Sequence, residues 1–193
     1  ISDNLENAVI ATEDRSFYKN SGINYQRTIL AVLTLGRSGG GSTITQQLAK
    51  NAFLTQEQTI SRKAREFFLA LEINKKYSKQ EILTMYLNNA YFGNGVWGVE
   101  DASQKYFGTS AANLTVDEAA TLAGMLKGPE IYNPIDNIQN ATNRRNTVLA
   151  NMVDDKKLSQ ADADSAAGVD MASRLDDTYQ GTGDDYKYPS YFD

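Results

Sequence analysis

Proline is absent from the first two thirds of this chain, because all three prolines lie at position 129 or later. Nothing in that region therefore obliges a helix to stop or to kink. Apolar residues recur in the same region with helical spacing, and Ile60, Phe67 and Leu71 fall on one face of a 3.6-residue period. We therefore predict an all-α fold.

The positions of the helices follow from apolar periodicity and from capping boxes, in which a Ser or Thr precedes a Glu by three residues. Periodicity predicts helices over about 3–13, 25–35, 43–53, 59–76 and 138–153. Capping boxes at Ser78 and Thr115 predict two more. After about Ala167 the periodicity fades into Asp, Gly, Tyr and Ser. We thus predict one domain over residues 1–168 and a linker over residues 169–193.

The composition excludes several kinds of chemistry, because the 193 residues include no histidine and no cysteine. A Ser-His-Asp triad, a Cys-His dyad, a zinc site with thiolate or imidazole ligands and a disulfide framework are all impossible. Acid–base chemistry must use Asp, Glu, Lys or Tyr. A bound metal would be a hard ion with oxygen ligands, such as Mg²⁺.

Charge is unevenly distributed along the chain. The net charge is −5, yet residues 37–79 contain eight basic and three acidic residues. A local positive field in an acidic protein favours an anionic ligand at that place, not general polyanion binding, so we expect no nucleic-acid partner. A solvated helical face would explain the same charges.

The first candidate for chemistry is the run Glu13–Phe17, which places carboxylates beside Arg15 at the end of a predicted helix. A surface ion pair with Arg15 is the simplest explanation for a carboxylate at this place. A carboxylate partly desolvated by Phe17 and Tyr18 would instead have a raised pKa and act as a general base. The residues alone leave both interpretations open.

The second candidate is the glycine-rich loop 36–42, which leads into the helix near Thr43. Backbone N–H groups at that helix end, together with the Ser42 and Thr43 hydroxyls, would form an anion site. The Gly-Lys-Ser/Thr order of an ATPase loop is absent. A flexible loop before an ordinary N-cap is the alternative.

Two further regions carry polar groups at suggestive spacings. Arg62, Lys63 and Glu66 project from neighbouring positions of one helix, beside its apolar face, and would lie at the rim of a cleft. A surface salt bridge explains them equally simply. The aromatic-rich region 86–107 is typical of core, and Asn88 is the member that we expect in or under the site.

Four runs resemble, in order and spacing, the motifs of the peptidoglycan glycosyltransferases, family 51, which are the polymerase domains of class A penicillin-binding proteins. These runs are Glu13–Phe17, Gly41–Asn51, Arg62–Glu66 and Lys79–Asn88. The resemblance covers about residues 5–165, and its most specific part is the run Ser-Thr-Ile-Thr-Gln-Gln from Ser42.

This resemblance implies a lysozyme-like large lobe, a small membrane-facing lobe and a cleft between them. It implies lipid II as the substrate, with Glu13 as the base that deprotonates the acceptor's GlcNAc 4-hydroxyl for inverting attack on the growing chain's lipid-linked MurNAc. Glu66 would be the second catalytic carboxylate, working with Lys63 at the donor's pyrophosphate, where Mg²⁺ is a possible aid. The residues expected to hold substrate are Ser42, Thr43, Gln46, Gln47, Lys50, Asn51, Arg62, Lys63 and Asn88.

The resemblance also implies a cellular setting. Relatives carry a membrane helix before this domain and a penicillin-sensitive transpeptidase after it, so we expect a soluble piece of a protein at the outer face of the bacterial cytoplasmic membrane. Moenomycin-type inhibitors would bind it. Apolar residues near Leu33, Leu35 and Phe53 would touch the membrane surface.

Two positions of this sequence depart from the family pattern. Asn20 stands where many relatives have His, and Gln58 stands where many have a basic residue.

Two other functions stay open. A muramidase would use a similar fold and a glutamate, but it would need no cluster of pyrophosphate-binding groups. A non-catalytic glycan-binding domain is the remaining alternative, and the retention of both motif carboxylates speaks against it.

Overall fold

The computed structural model describes residues 1–34, 41–54 and 60–176, with only the backbone described at positions 31, 32 and 60. These residues form ten α-helices and one short 3₁₀ helix. They are α1 (Asp3–Glu13), α2 (Tyr25–Leu33), α3 (Ile44–Phe53), α4 (Ile60–Lys76), α5 (Lys79–Asn89), α6 (Val99–Phe107), α7 (Val116–Met125), α8 (Pro129–Tyr132), α9 (Ile138–Asp154), α10 (Gln160–Ala167) and the 3₁₀ helix Met171–Arg174.

The predicted all-α class is confirmed. Within the described residues, β-type pairing is limited to one isolated bridge between Tyr91 and Trp97. The helices predicted from periodicity are all present, and α6, α8 and α10 are additional to the prediction. The division into a large and a small lobe stays a prediction.

Capping boxes start α3, α5 and α7, and they explain why these helices begin where they do. The predicted boxes at Ser78 and Thr115 are both formed. A third box joins Thr43 to Gln46, where Gln in place of Glu accepts a hydrogen bond from the N-cap backbone. The start of α3 is thereby fixed by side chains of its own first turn.

The core is organised around α7, whose residues Asp117–Met125 are all buried. α7 packs against α1 and α9, while α3 packs against α4 and α5. Small residues allow the close approach, and at Gly124 an added Cβ would lie 2.8 Å from Cγ of Arg144 on α9. The tight packing of α1 against α7 and α9 fixes the end of α1, where Glu13 lies.

The predicted domain boundary at residue 168 stays a prediction, and residues just beyond it contact the helical domain. The Arg145 guanidinium is buried and donates to the carbonyls of Ala167 and Val169. Arg174 forms an ion pair with the buried Asp117 at 3.0 Å. The segment after Ala167 is poor in apolar residues, but these polar anchors attach it to α7 and α9, so periodicity alone could not detect it.

Some predictions concern residues outside the described ranges. These are the linker beyond position 176, most of the glycine-rich loop, Leu35 and the departure at Gln58. Within the ranges that are described, no helix combines the length and the apolar character needed to cross a membrane.

Candidate active site

Glu13 is the last residue of α1, and the surface ion pair considered for it does not form. Arg15 turns away, donating from Nε to the Ala11 carbonyl at 3.0 Å and pairing through Nη1 with Asp154. The Glu13 side chain instead accepts a hydrogen bond from the Gln47 side chain on α3. Of the two interpretations of this carboxylate, the structure favours the desolvated one.

The pKa of Glu13 is raised above the ordinary value of a glutamate, as expected for a desolvated base. Burial is the largest cause, because it disfavours the charged form, and the charge of Asp14 adds a smaller increase. Arg144, the hydrogen bond from Gln47 and Lys127 act in the opposite direction. The balance keeps a carboxyl that can accept a proton at higher pH than an exposed glutamate.

Asp14, which follows Glu13, joins the end of α1 to the start of α3. Its carboxylate is 2% exposed and accepts from the backbone N–H of Ile44 at 3.2 Å and from the Ser16 hydroxyl at 3.1 Å. A carboxylate at a helix N-terminus is stabilised by the free N–H groups and the helix dipole. Asp14 therefore fixes Glu13 relative to α3.

Asn20 continues this network to α5. Its amide donates to both carboxylate oxygens of Asp14, at 3.1 and 3.2 Å, and its carbonyl oxygen accepts from Lys79 Nζ at 3.1 Å and from the Gly22 backbone at 3.0 Å. Asn20 is thus a bridge between structural elements. Lys79 also lies over the Phe17 ring, 4.9 Å from its centroid.

The start of α3 differs from the open anion site that we expected. Both donors of Thr43 have partners within the protein: its backbone N–H donates to Gln46 Oε1 at 2.9 Å, and its hydroxyl donates to the Gly22 carbonyl at 2.6 Å. The Gln46 backbone N–H donates to Thr43 Oγ1, and that of Ile44 to Asp14. Thr43 and Gln46 thus help to position α3 through hydrogen bonds within the protein.

Glu66 lies on α4 and is 1% exposed. Its carboxylate forms an ion pair with Lys63 Nζ at 2.6 Å, and Lys63 also donates to the Ser42 hydroxyl at 3.1 Å. The Lys63 side chain is 59% exposed, so its ammonium group reaches solvent while it holds Glu66. Three sequence candidates, Ser42, Lys63 and Glu66, are therefore brought together beside the start of α3.

The other predicted substrate-binding residues lie at varied depths. Lys50 and Asn51 are exposed on α3, and Arg62 is partly exposed on α4. Asn88 is exposed in the last turn of α5, whereas Tyr86, two residues earlier, is the residue by which α5 reaches Gln47. Substrate contact by these four residues stays a prediction.

Two basic residues near Glu13 are not among the site residues predicted from the sequence. Arg144 on α9 and Lys127, just after α7, both lower the pKa of Glu13 through their charge. Arg144 also donates to the Gly124 carbonyl at 3.2 Å and lies over the Tyr132 ring. Only the three-dimensional approach of α9 to α1 reveals them, because nothing in their local spacing points to residue 13.

The described residues offer no group of three or more acidic, histidine or cysteine side chains that could hold a metal ion. Glu66 already has an ammonium partner, and Glu13 has an amide partner. This part of the chain therefore does not supply a complete ligand set for a divalent cation.

The framework of this site is a pair of carboxylates near the start of α3: Glu13 is desolvated, and Glu66 is paired with Lys63. The family model described as Transglycosylase matches residues 1–153. The chain belongs to this transglycosylase family.

Its relatives are penicillin-binding proteins. Penicillin-binding protein 2a of Streptococcus pneumoniae, strain D39, is 69% identical over 193 residues, covering all of this chain and 26% of that protein. Penicillin-binding protein 1A of Vibrio cholerae is 48% identical over 84% of this chain and 20% of its own length. The chain thus spans between a fifth and about a quarter of the length of these relatives. A crystal structure of penicillin-binding protein 1A from Haemophilus influenzae is 31% identical, with a TM-score of 0.46 over 66% of this chain and 16% of that one.

Proposed function

We propose that this chain is a peptidoglycan glycosyltransferase that polymerises lipid II into β-1,4-linked glycan strands with inversion, releasing undecaprenyl pyrophosphate. The observation that carries the proposal is the contrast between the two carboxylates of the site. Glu13 has a raised pKa and an uncharged partner, whereas Glu66 is paired directly with a solvent-reaching lysine. Family membership supports the same activity.

On the acceptor side, Glu13 takes the proton from the GlcNAc 4-hydroxyl as that oxygen forms its bond to the anomeric carbon of the lipid-linked MurNAc. A base with a raised pKa suits this task, because the proton affinity of a general base should approach the working pH. Attack from the face opposite the leaving group inverts the anomeric carbon. Arg144 and Lys127 place positive charge near the same carboxylate.

On the donor side, the bond between the anomeric carbon and the pyrophosphate oxygen breaks, and negative charge grows on the leaving pyrophosphate. Lys63 stabilises that charge, and the contacts of its ammonium group with Glu66 and Ser42 beside the start of α3 support this role. Pyrophosphate is a good leaving group, so no strong acid is needed. A divalent cation at this place would take most of its oxygen ligands from the substrate.

An apolar face of α2 supports contact with the membrane surface in which lipid II is anchored. Tyr25, Ile29, Leu30 and Leu33 are all more than half exposed. Phe53 at the end of α3 and Phe68 on α4 are also largely exposed. Exposed apolar patches of this kind mark interaction sites, and a lipid bilayer at the outer face of the cytoplasmic membrane is the occupant we propose.

The polymerase proposal is tested by incubating the chain with fluorescently labelled lipid II and separating the products by length. We expect a ladder of polymer that disappears with moenomycin and with Glu13→Gln, and that persists with Lys75→Met, a surface change on α4. Digestion of preformed glycan would indicate a muramidase instead. Binding of lipid II by folded protein without any polymer would indicate a glycan-binding domain.

The membrane proposal is tested separately by sedimentation with anionic phospholipid vesicles. Leu33→Ser and Phe53→Ser together should reduce the bound fraction, while Ile131→Ser, which alters an exposed apolar residue on α8, should not. Unchanged binding of the double variant would refute a membrane contact at this face.

A further inference from the structure

Tyr86 is a buried polar group to which the reaction described above gives no role. It lies on α5, is 2% exposed, and donates from its hydroxyl to Gln47 Oε1 at 2.9 Å. The same Gln47 side chain hydrogen-bonds the Glu13 carboxylate. A continuous chain of side chains therefore runs from the core through Gln47 to Glu13.

The order of donors in this chain determines which end of the Gln47 amide faces Glu13. An ionised carboxylate only accepts hydrogen bonds, whereas an amide has one accepting oxygen and one donating nitrogen. Because the Tyr86 hydroxyl occupies Gln47 Oε1, Nε2 is directed to the carboxylate. Burial and the charge of Glu13 raise the pKa of Tyr86, so its hydroxyl keeps its proton and stays a donor.

We propose that Tyr86 is a positioning residue for the base, acting through Gln47 to keep the amide nitrogen on the Glu13 carboxylate. Gln47 is thereby a group that orients the base, in addition to the substrate contact predicted for it. The role of Glu13 as the base rests on the function proposed above. The kinetic test depends on that role, whereas the titration of Glu13 does not.

The direction of the expected effect follows from the groups around Glu13. Burial raises the pKa of Glu13, and Asp14 raises it further, while Arg144 on α9, Gln47 on α3 and Lys127 after α7 lower it. Removing the Tyr86 hydroxyl frees the Gln47 amide to rotate, while burial and the charges of Asp14, Arg144 and Lys127 continue to act on Glu13. Glu13 then loses the hydrogen bond from Gln47, and its pKa rises further.

The kinetic test compares Tyr86→Phe with Tyr106→Phe across a pH series of lipid II polymerisation. Tyr106 is the matched control, because it is equally buried and its hydroxyl donates to the Phe92 carbonyl at 2.6 Å. Tyr86→Phe should lower the rate about tenfold on the acidic side of the profile, with the two rates converging as the pH rises. Tyr106→Phe should leave the profile where it is.

A second measurement does not depend on activity. The titration of Glu13 is followed by carboxyl ¹³C NMR, with Glu13→Gln identifying its signal. In Tyr86→Phe the midpoint should move to higher pH, and in Tyr106→Phe it should not. An unmoved midpoint in Tyr86→Phe would overturn the inference, whether or not the chain polymerises lipid II.

Gln47→Leu keeps the inference testable if Tyr86→Phe does not fold. It removes the bridging amide, so the Glu13 midpoint should again move to higher pH. Combined with Tyr86→Phe it should add nothing, since both changes remove the same hydrogen bond to the carboxylate. Additive shifts in the double variant would contradict a route through Gln47.

Discussion

Glu13 is half-buried and Glu66 is fully buried, and the partners of these two carboxylates are of different kinds. Glu13 is held by the uncharged amide of Gln47 and is influenced by Arg144 and Lys127 through their charge. Glu66 forms a direct ion pair with Lys63 at 2.6 Å. An uncharged partner leaves a carboxylate able to accept a proton, whereas an ion pair uses its charge to hold a cation in place. The surroundings of Glu13 therefore suit a base, and those of Glu66 suit a group that holds Lys63 in place.

Glu13→Gln should have the largest effect. We expect the polymerisation rate to fall by about 10²–10⁴-fold, the usual contribution of a general base. The free energy of unfolding of Glu13→Gln, in contrast, should rise at neutral pH. The raised pKa means that Glu13 contributes stability below the ordinary glutamate pKa, and that this contribution is lost as the pH rises through its folded value. Urea unfolding at a series of pH values should show the variant as the more stable protein at neutral pH, and a less stable variant there would contradict the desolvated state of Glu13.

Gly22→Ala should damage the frame on which both carboxylates depend. Gly22 has a φ of +94°, and an added Cβ would lie 2.6 Å from the Ala70 carbonyl oxygen of α4. We expect a loss in the free energy of unfolding above the roughly 1–3 kcal/mol of backbone strain alone. Gly95→Ala is the control, because its φ is +72° but no atom lies within 4 Å of the added Cβ. Equal losses in the two variants would show that the contact with α4 is unimportant.

Lys63→Met should cost more stability than the loss of an ordinary surface ion pair. It leaves the Glu66 carboxylate buried without its cation, and we expect a loss of about 1–3 kcal/mol in unfolding free energy together with slower polymerisation. Lys75→Met breaks the exposed pair with Glu72 on the same helix, at the same three-residue spacing. That control should cost about 0–1 kcal/mol. Similar losses from both variants, measured by urea unfolding, would remove the distinction.

Asn20→Ala should have the smallest effect on the reaction. It removes the bridge between Asp14 and Lys79, so we expect stability to fall by about 1 kcal/mol while the polymerisation rate stays within a few-fold of the parent. Thermal unfolding and initial rates measure the two parts. A rate loss comparable to that of Glu13→Gln would give Asn20 a direct part in the chemistry.

The helices could be predicted from the sequence because apolar period and capping residues are local signals. α1 was predicted at its observed limits, and the boxes at Ser78 and Thr115 formed. The attachment of the segment beyond Ala167 could not be predicted, because it depends on Arg145 and Arg174 reaching distant partners. Such contacts leave no periodic trace in the chain.

The sequence predicted candidate residues for the site, but it predicted few of the contacts between them. The resemblance supplied the roles of Glu13 and Glu66, and the helical spacing predicted that Lys63 lies beside Glu66. Sequence spacing could not show that Asp14 would occupy the start of α3, or that the hydroxyl of a core tyrosine would reach Gln47. Both facts depend on the packing of α3 against other helices, which is set by the whole core.

The buried guanidinium of Arg145 also bears on how the domain can be produced. The family model ends at residue 153, but a protein cut there would lose the carbonyl groups of Ala167 and Val169 that this guanidinium needs. A buried cation without acceptors destabilises a fold strongly, and the ion pair of Asp117 with Arg174 would be lost in the same step. An expression plasmid for crystallisation or drug screening should therefore encode the chain at least through Asp176, whose backbone N–H donates to the Tyr106 carbonyl.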